Sequence, residues 1–194
     1  MYDSNPVAGG DLTERELVEA AQRGDAGAFT ALARRHADRV HALANRILLD
    51  PAAAEDASQQ AFVRAWQGLP RLRDVDRFET WLRRLVVRAC FDQADTDRRW
   101  RVHIRLLAGA EPQPDATGAI AARDEMDRAL ARLKPQQRAV LTLRYYLDLP
   151  VAEIAAALEI SEGTVSSRLH YALDELRSIL QADARLDGRE GRTA

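Results

Sequence analysis

Cys90 is the only cysteine in the chain, so no internal disulfide can staple it. Aromatic residues make up only 6% of the 194 positions, which does not fit the aromatic and β-branched composition of strands. No apolar run approaches the roughly 20 residues that span a bilayer, and no signal-like apolar segment follows Met1. The chain is therefore expected to be cytoplasmic, with no direct membrane insertion. Lysine is almost missing too: Lys134 stands alone and every other cation is arginine, a bias that a GC-rich genome produces and that phosphate contact would also favour. A net charge of −2 provides no overall basic field of the kind that attracts nucleic acid, although a local patch could still do so. There is no Gly-rich phosphate loop and no Ser/His/Asp arrangement. His36 and His41 lack a carboxylate or cysteine partner at ligand spacing and read as surface or boundary residues. These absences predict no enzyme, no metal, no cofactor and no small-molecule substrate.

What the chain does have is helix-forming sequence. Hydrophobic residues reach 46%, and the abundant Ala, Leu and Arg lose little on entering a helix. The expected fold is all-α, with two small helical domains joined by a flexible linker. Residues 1–11 are expected to be a disordered N-terminus and 12–107 the first domain. Residues 108–121 form the linker, 122–184 the second domain and 185–194 a disordered tail. In the first domain Thr13 and Glu16 have capping-box spacing, and Phe29, Leu32, Val40, Leu43 and Ile47 recur at helical steps. Asp50-Pro51 has the N-cap and first-turn pattern of a third helix ending near Gly68. Asp76 and Glu79 are placed to cap a fourth helix with an inward stripe of Phe78, Trp81, Leu82, Leu85 and Ala89. Trp66 is assigned to the core. Cys90 sits near that stripe as a small hydrophobe, with a redox-sensing thiol as the alternative.

The stretch "AGAEPQPDATG" at 108–118 carries prolines and glycines without periodicity, as a linker does. Beyond it, Met126, Ala129, Leu130 and Leu133 should face inward, followed by Ala139, Val140, Leu143 and either Tyr146 or Leu147. "PVAEIAAALEI" and "SEGTVSSRLHYALDEL" then form two helices separated by a three-residue turn, with Ser161 as N-cap, in the manner of a helix-turn-helix. In the second of these, Val165, Leu169, Ala172 and Leu176 fall on one stripe, while Gly163, Thr164, Ser167, His170 and Tyr171 project oppositely. Small residues and free N–H groups at its start allow close approach to DNA, and Arg168 flanks that surface. Any helical hairpin with a short polar turn shares this pattern, so periodicity alone leaves DNA binding open.

More specific are "QR.V" at 137–140, "LRYY" at 143–146, "AEIAAAL" at 152–158 and "SEGTVSSRL" at 161–169, which together resemble region 4 of extracytoplasmic-function (ECF) sigma factors of the sigma-70 family. Independently, "RGDAGAFTAL" at 23–32, "AEDASQQAFVRAW" at 54–66 and "FETWLRRLV" at 78–86 resemble sigma region 2, in the family's order. LuxR-type regulators share the second pattern but not the "AEDASQQAF" helix.

The resemblance implies an alternative sigma factor that binds core RNA polymerase and directs it to promoters. By carry-over, Asp56, Gln59, Gln60, Phe62 and Val63 would dock on the β′ clamp helices, with Gln60 replacing the acid usual there. Arg83, Arg84, Arg88, Phe91, Arg98, Arg99, Trp100 and Arg101 would meet the minus-10 element as single strand, which demands cations along the backbone and aromatics to stack bases. Ser161, Gly163, Thr164, Ser166, Ser167, Arg168, His170 and Tyr171 would meet the minus-35 element, while the second domain also contacts the β flap. An anti-sigma factor is a further implied partner. Three departures stand out: Arg88 where the family usually has Asn, and Ser166 and Tyr171 where basic residues are common. Ser166 and Tyr171 favour a rival reading, a sigma-like protein-binding module with degenerate promoter recognition, while Arg88 bears on which minus-10 sequence is read. A third reading, an autonomous helix-turn-helix regulator, requires a dimerisation element that the sequence does not display.

Overall fold

The structure, a computed structural model, describes residues 12–108 and 125–190, and within them the side chains of 12–99, 126–183 and Arg185. The expected segment 1–11, the linker from 109 onward and residues 191–194 lie outside the described residues. Every regular element among the described residues is helical.

Helix α1 (Glu14–Gln22) begins with the expected capping box, Thr13 bonding the Glu16 N–H while the Glu16 carboxylate accepts from Thr13. Asp25 caps α2 (Ala26–Leu48), which ends at Leu49 in the left-handed region at φ 57°. Asp50 then caps α3 (Pro51–Gly68) by accepting from the Ala52 and Ala53 N–H groups at 2.9 and 3.1 Å. The buried face of α3 is almost entirely alanine, at positions 53, 54, 57, 61 and 65. Such short side chains let α3 approach α2 and α4 closely, since the separation of packed helices is set by the residues at the contact. Helix α4 (Phe78–Ala108) completes this module, burying Phe78, Leu82, Val86, Val87, Ala89 and Cys90.

Asp76 does not cap α4. A 3-10 turn at Val75–Arg77 precedes the helix and is capped by Asp74, whose carboxylate accepts from Asp76 N–H. The Asp76 carboxylate instead accepts two bonds from Arg15 of α1, at 2.8 and 2.9 Å. Trp66 is not in the core either: it is 38% exposed, with its ring 5.0 Å from that of Phe29. His36 is the reverse case, buried at the module's centre with Nε2 2.9 Å from a Glu14 carboxylate oxygen and its ring edge-on to Phe78.

Cys90 is fully buried, and desolvation pushes its thiol up to about 12. The thiolate is the reacting species. Alkylation at pH 8 should therefore be negligible in the folded protein and should proceed at the rate of unfolding when denaturant is added. Fast labelling without denaturant would reinstate the redox-sensor alternative. Because the folded thiol holds its proton above the unfolded value, stability is unaffected below about pH 8.5 and falls as pH rises from there toward 12.

The second module comprises α5 (Glu125–Ala131), α6 (Pro135–Leu141), α7 (Val151–Leu158) and α8 (Glu162–Glu190). A π-helical turn, Thr142–Tyr146, follows α6. It rotates the chain so that Leu143 and Leu149 are buried, Leu147 is half-buried and Tyr146 stays 46% exposed. Met126, expected inward, is 41% exposed because Ala129 and Leu133 supply the buried face of α5. Helix α8 continues to Glu190, past the point where a disordered tail was expected. Ile179 and Leu180 hold it to the small core that contains Ala129 and Leu133, and Arg132 pairs with Asp183 at 2.9 Å.

The two modules share one core. Ala139, Leu143, Ile154 and Val165 belong to the same buried cluster as Val40, Ile47 and Val86. At the seam lies Arg138 of α6, only 5% exposed. Its Nε donates to the Ile47 carbonyl at 2.5 Å and its Nη1 to the Leu133 carbonyl at 2.6 Å. Ile47 lies in the last turn of α2 and Leu133 just beyond α5, so both oxygens belong to helix ends where carbonyls lack intrahelical partners and where the dipole favours a cation. Desolvation lowers the guanidinium to about 10, and it remains charged at neutral pH.

Candidate nucleic-acid and polymerase surfaces

Three surfaces gather the residues singled out by sequence. On α3, Asp56, Gln59, Gln60 and Val63 are exposed, while Phe62 is half-buried against the core. Spacing of three and four residues sets Asp56, Gln59, Val63 and Trp66 along one outward stripe. Val63 is 49% exposed, so the stripe is polar at one end and apolar at the other, as a protein-docking helix face is. Trp66 belongs to this surface, although its place in an apolar pattern had suggested core. The signal that could have found it is the run of small residues at 53, 54, 57, 58, 61 and 65, which marks the inner face of α3 and leaves Trp66 off it.

On α4, Arg83 and Arg84 are partly buried, Arg88, Arg98 and Arg99 are exposed and Phe91 is half-buried. The side chains of Trp100 and Arg101 lie outside the described residues. The arginines are not uniformly free. Arg83 reaches Glu79 at 3.4 Å and Glu153 of α7 at 3.8 Å, and Arg88 reaches Glu159 at 3.9 Å. Arg84 Nε is buried without a hydrogen-bond partner, an unsatisfied donor of the kind that costs about 1–3 kcal/mol.

The third surface is the start of α8. Glu159 ends α7 in the left-handed region at φ 55°, turning the chain sharply. The Ser161 Oγ then accepts from Thr164 N–H at 3.1 Å and lies 2.8 Å from the Thr164 hydroxyl. Val165 and Ala172 are fully buried, and Leu169 packs against both cores. Gly163, Ser166, Ser167, His170 and Tyr171 are exposed, with Thr164 and Arg168 half-buried beside them. The predicted outward set therefore lies together on one solvent-facing side. His170 Nε2 is 3.2 Å from Asp174, which also pairs with Arg177, so the far end of this face carries little net positive charge.

The chain thus pairs a helical module built around the alanine-faced α3 with a bihelical module whose second helix starts with small exposed residues. Residues 32–101 match the Sigma-70 region 2 family and residues 123–176 match the Sigma-70, region 4 family. The chain is 34% identical over 171 residues to the ECF RNA polymerase sigma factor SigM of Mycobacterium tuberculosis, covering 88% of this chain and 86% of that one. It is 35% identical over 177 residues to SigL of the same species, covering 84% and 95%. Among solved structures, that of CnrH in complex with the cytosolic domain of CnrY has a TM-score of 0.61 at 26% identity, covering 88% of this chain and 98% of that one. The sigma factor RpoE of Bartonella quintana, solved with the anti-sigma factor NepR, shares the fold at a TM-score of 0.60 and 21% identity, covering 80% and 98%.

The chain belongs to the ECF group of the sigma-70 family. It is an alternative sigma factor, a non-enzymatic subunit that directs RNA polymerase to promoters. Among the described residues no helix is long and apolar enough to cross a membrane.

Proposed function

We propose that each of the three surfaces performs one step of promoter recognition in the cytoplasm. The α3 stripe, through Asp56, Gln59, Gln60, Phe62 and Val63, docks on the β′ clamp helices. The arginines of α4 with Phe91, and Trp100 and Arg101 beyond them, bind the minus-10 element as single strand, cations following the backbone and aromatics stacking bases. Ser161, Gly163, Thr164, Ser166, Ser167, Arg168, His170 and Tyr171 lie in the minus-35 major groove, while the second module also meets the β flap. An anti-sigma factor holds the chain in reserve, as the solved complex of the Bartonella quintana relative suggests.

The observation that carries this reading is the solvent-facing start of α8, where small side chains surround a helix N-terminus with free N–H groups. Its shortage of cations is made up by tethering: two weak DNA contacts on one chain, added to those of the polymerase, raise each other's effective concentration. Transcription in vitro with core polymerase on a genomic promoter library tests this. Discrete start sites that depend on the chain are expected. Core binding without promoter selectivity would favour the rival protein-binding module, which Ser166 and Tyr171 support.

A further inference from the structure

The exposed stripe of α8 does not stop at the residues assigned to the minus-35 element. Steps of four and three residues carry it from Gly163 through Ser167 and His170 to Asp174 and Arg177, so a carboxylate lies in line with the side chains proposed to face the groove. Asp174 Oδ2 stands 3.2 Å from Nε2 of His170, and Asp174 Oδ1 accepts from Arg177 Nη1 at 2.8 Å. We propose that Asp174 is a specificity-determining positioning residue: it holds His170 by Nε2 and thereby presents Nδ1 to one base of the minus-35 element, selecting adenine or cytosine there. This rests on the reading of the α8 face as the minus-35 contact.

Stability does not account for the carboxylate. The side chains of His170, Asp174 and Arg177 are 71%, 48% and 65% exposed, and ion pairs one turn apart on a wet helix surface contribute little. Toward a duplex the carboxylate is unfavourable, since it brings negative charge to a polyanion and holds an arginine that could follow phosphates. What it supplies is orientation. In a neutral imidazole one nitrogen donates and the other accepts. With Nε2–H donated to Asp174, Nδ1 is the acceptor, and it has no hydrogen-bond partner among the described residues. Tyr171 completes the placement, its ring centroid 5.8 Å from that of His170 at an interplanar angle of 56°. A side chain flanked in this way has less rotamer freedom to lose on binding. In the major groove adenine N6 and cytosine N4 are donors, whereas guanine O6 and thymine O4 are acceptors. An acceptor nitrogen therefore matches the first two bases and sets lone pair against lone pair at the others.

Holoenzymes of core polymerase with the full-length chain, transcribing at pH 8 from a promoter library randomised across the minus-35 element, test the proposal; at that pH an ordinary imidazole is neutral. The unaltered chain should prefer adenine or cytosine over guanine and thymine at one position by about fivefold or more, a hydrogen bond there replacing two opposed acceptors. His170→Ala should erase that preference and so identify the position. Asp174→Ala should weaken it by about threefold or more while leaving the other positions as they were, because only the orientation of one base contact is lost. Total binding to the library should not fall, a carboxylate having been removed. Asp174→Glu, which keeps a carboxylate one turn from His170, should restore the preference. Three results overturn the proposal while the minus-35 reading survives: an unchanged preference in Asp174→Ala, an even change across every position, which would make Asp174 a bare charge, or a loss that Asp174→Glu does not restore. If His170→Ala alters no minus-35 position at all, the reading of the α8 face falls and the role of Asp174 falls with it.

Discussion

Replacing Asp56 and Gln59 together with arginine is expected to abolish capture by core RNA polymerase while leaving the melting temperature nearly unchanged. Both side chains are exposed on the outward stripe of α3. Gln59 bonds Glu55 one turn away on the same helix at 3.3 Å, so the double change removes no contact between helices. Surface substitutions of this kind usually stay within about 0.5 kcal/mol. At a docked interface the same change is severe: two charged, bulky side chains are forced into a patch shaped for a carboxylate and an amide. Disrupting a buried charged contact costs about 2–5 kcal/mol, and 2.8 kcal/mol is already roughly 100-fold in affinity. Fluorescence anisotropy with labelled core enzyme measures the loss and differential scanning fluorimetry checks the fold. A folded double mutant that binds core like the unaltered chain would remove α3 from the docking surface.

That the α3 face can be named at all reflects how its helix is written. Periodicity reports which side of a helix is apolar, and local chemistry reports where a helix starts. Thr13 with Glu16, Asp50 with Pro51, and Ser161 are therefore legible from neighbours within four residues, as is the sorting of Val165 and Ala172 from Ser167 and Tyr171 on α8. Partners distant in the chain are not legible in this way. His36 looks like a boundary residue until Glu14 is brought to 2.9 Å from it, and Asp76 looks like an N-cap until Arg15 claims its carboxylate. Arg138 is the strongest case. Its side chain follows an ordinary helical spacing between polar Gln137 and apolar Ala139, and its burial is decided by the ends of α2 and α5. The shared core of the two modules was hidden for the same reason. A linker rich in proline and glycine marks where two units are joined, and says nothing about whether their outer surfaces fit each other.

At the proposed recognition face of α8 the expected effects are equally large and separate direct reading from mere support. Alanine at Gly163, Thr164, Ser167, His170 and Tyr171 leaves Val165 and Ala172 buried and the Ser161 hydroxyl still accepting from the residue 164 N–H, so the helix should form unaltered. Transcription from promoters that depend on the minus-35 element should nevertheless fall by at least tenfold, because each lost base-edge contact costs about 1–3 kcal/mol. Arg168→Ala should do the same alone, although part of its effect is lost packing of a half-buried aliphatic stem. The opposite change is Ser166→Arg with Tyr171→Arg, both at exposed positions, which adds cations where the family often carries them. Holoenzyme binding should tighten at low salt and its salt dependence should steepen by about 0.9 in log–log slope for each phosphate newly contacted. Unchanged transcription after all five alanine substitutions would make this helix structural and move promoter choice to residues 76–101. A steeper slope with no gain in selectivity would show that the added arginines hold DNA without reading it, which is the division of labour expected when phosphate contacts position a protein and base contacts specify the site.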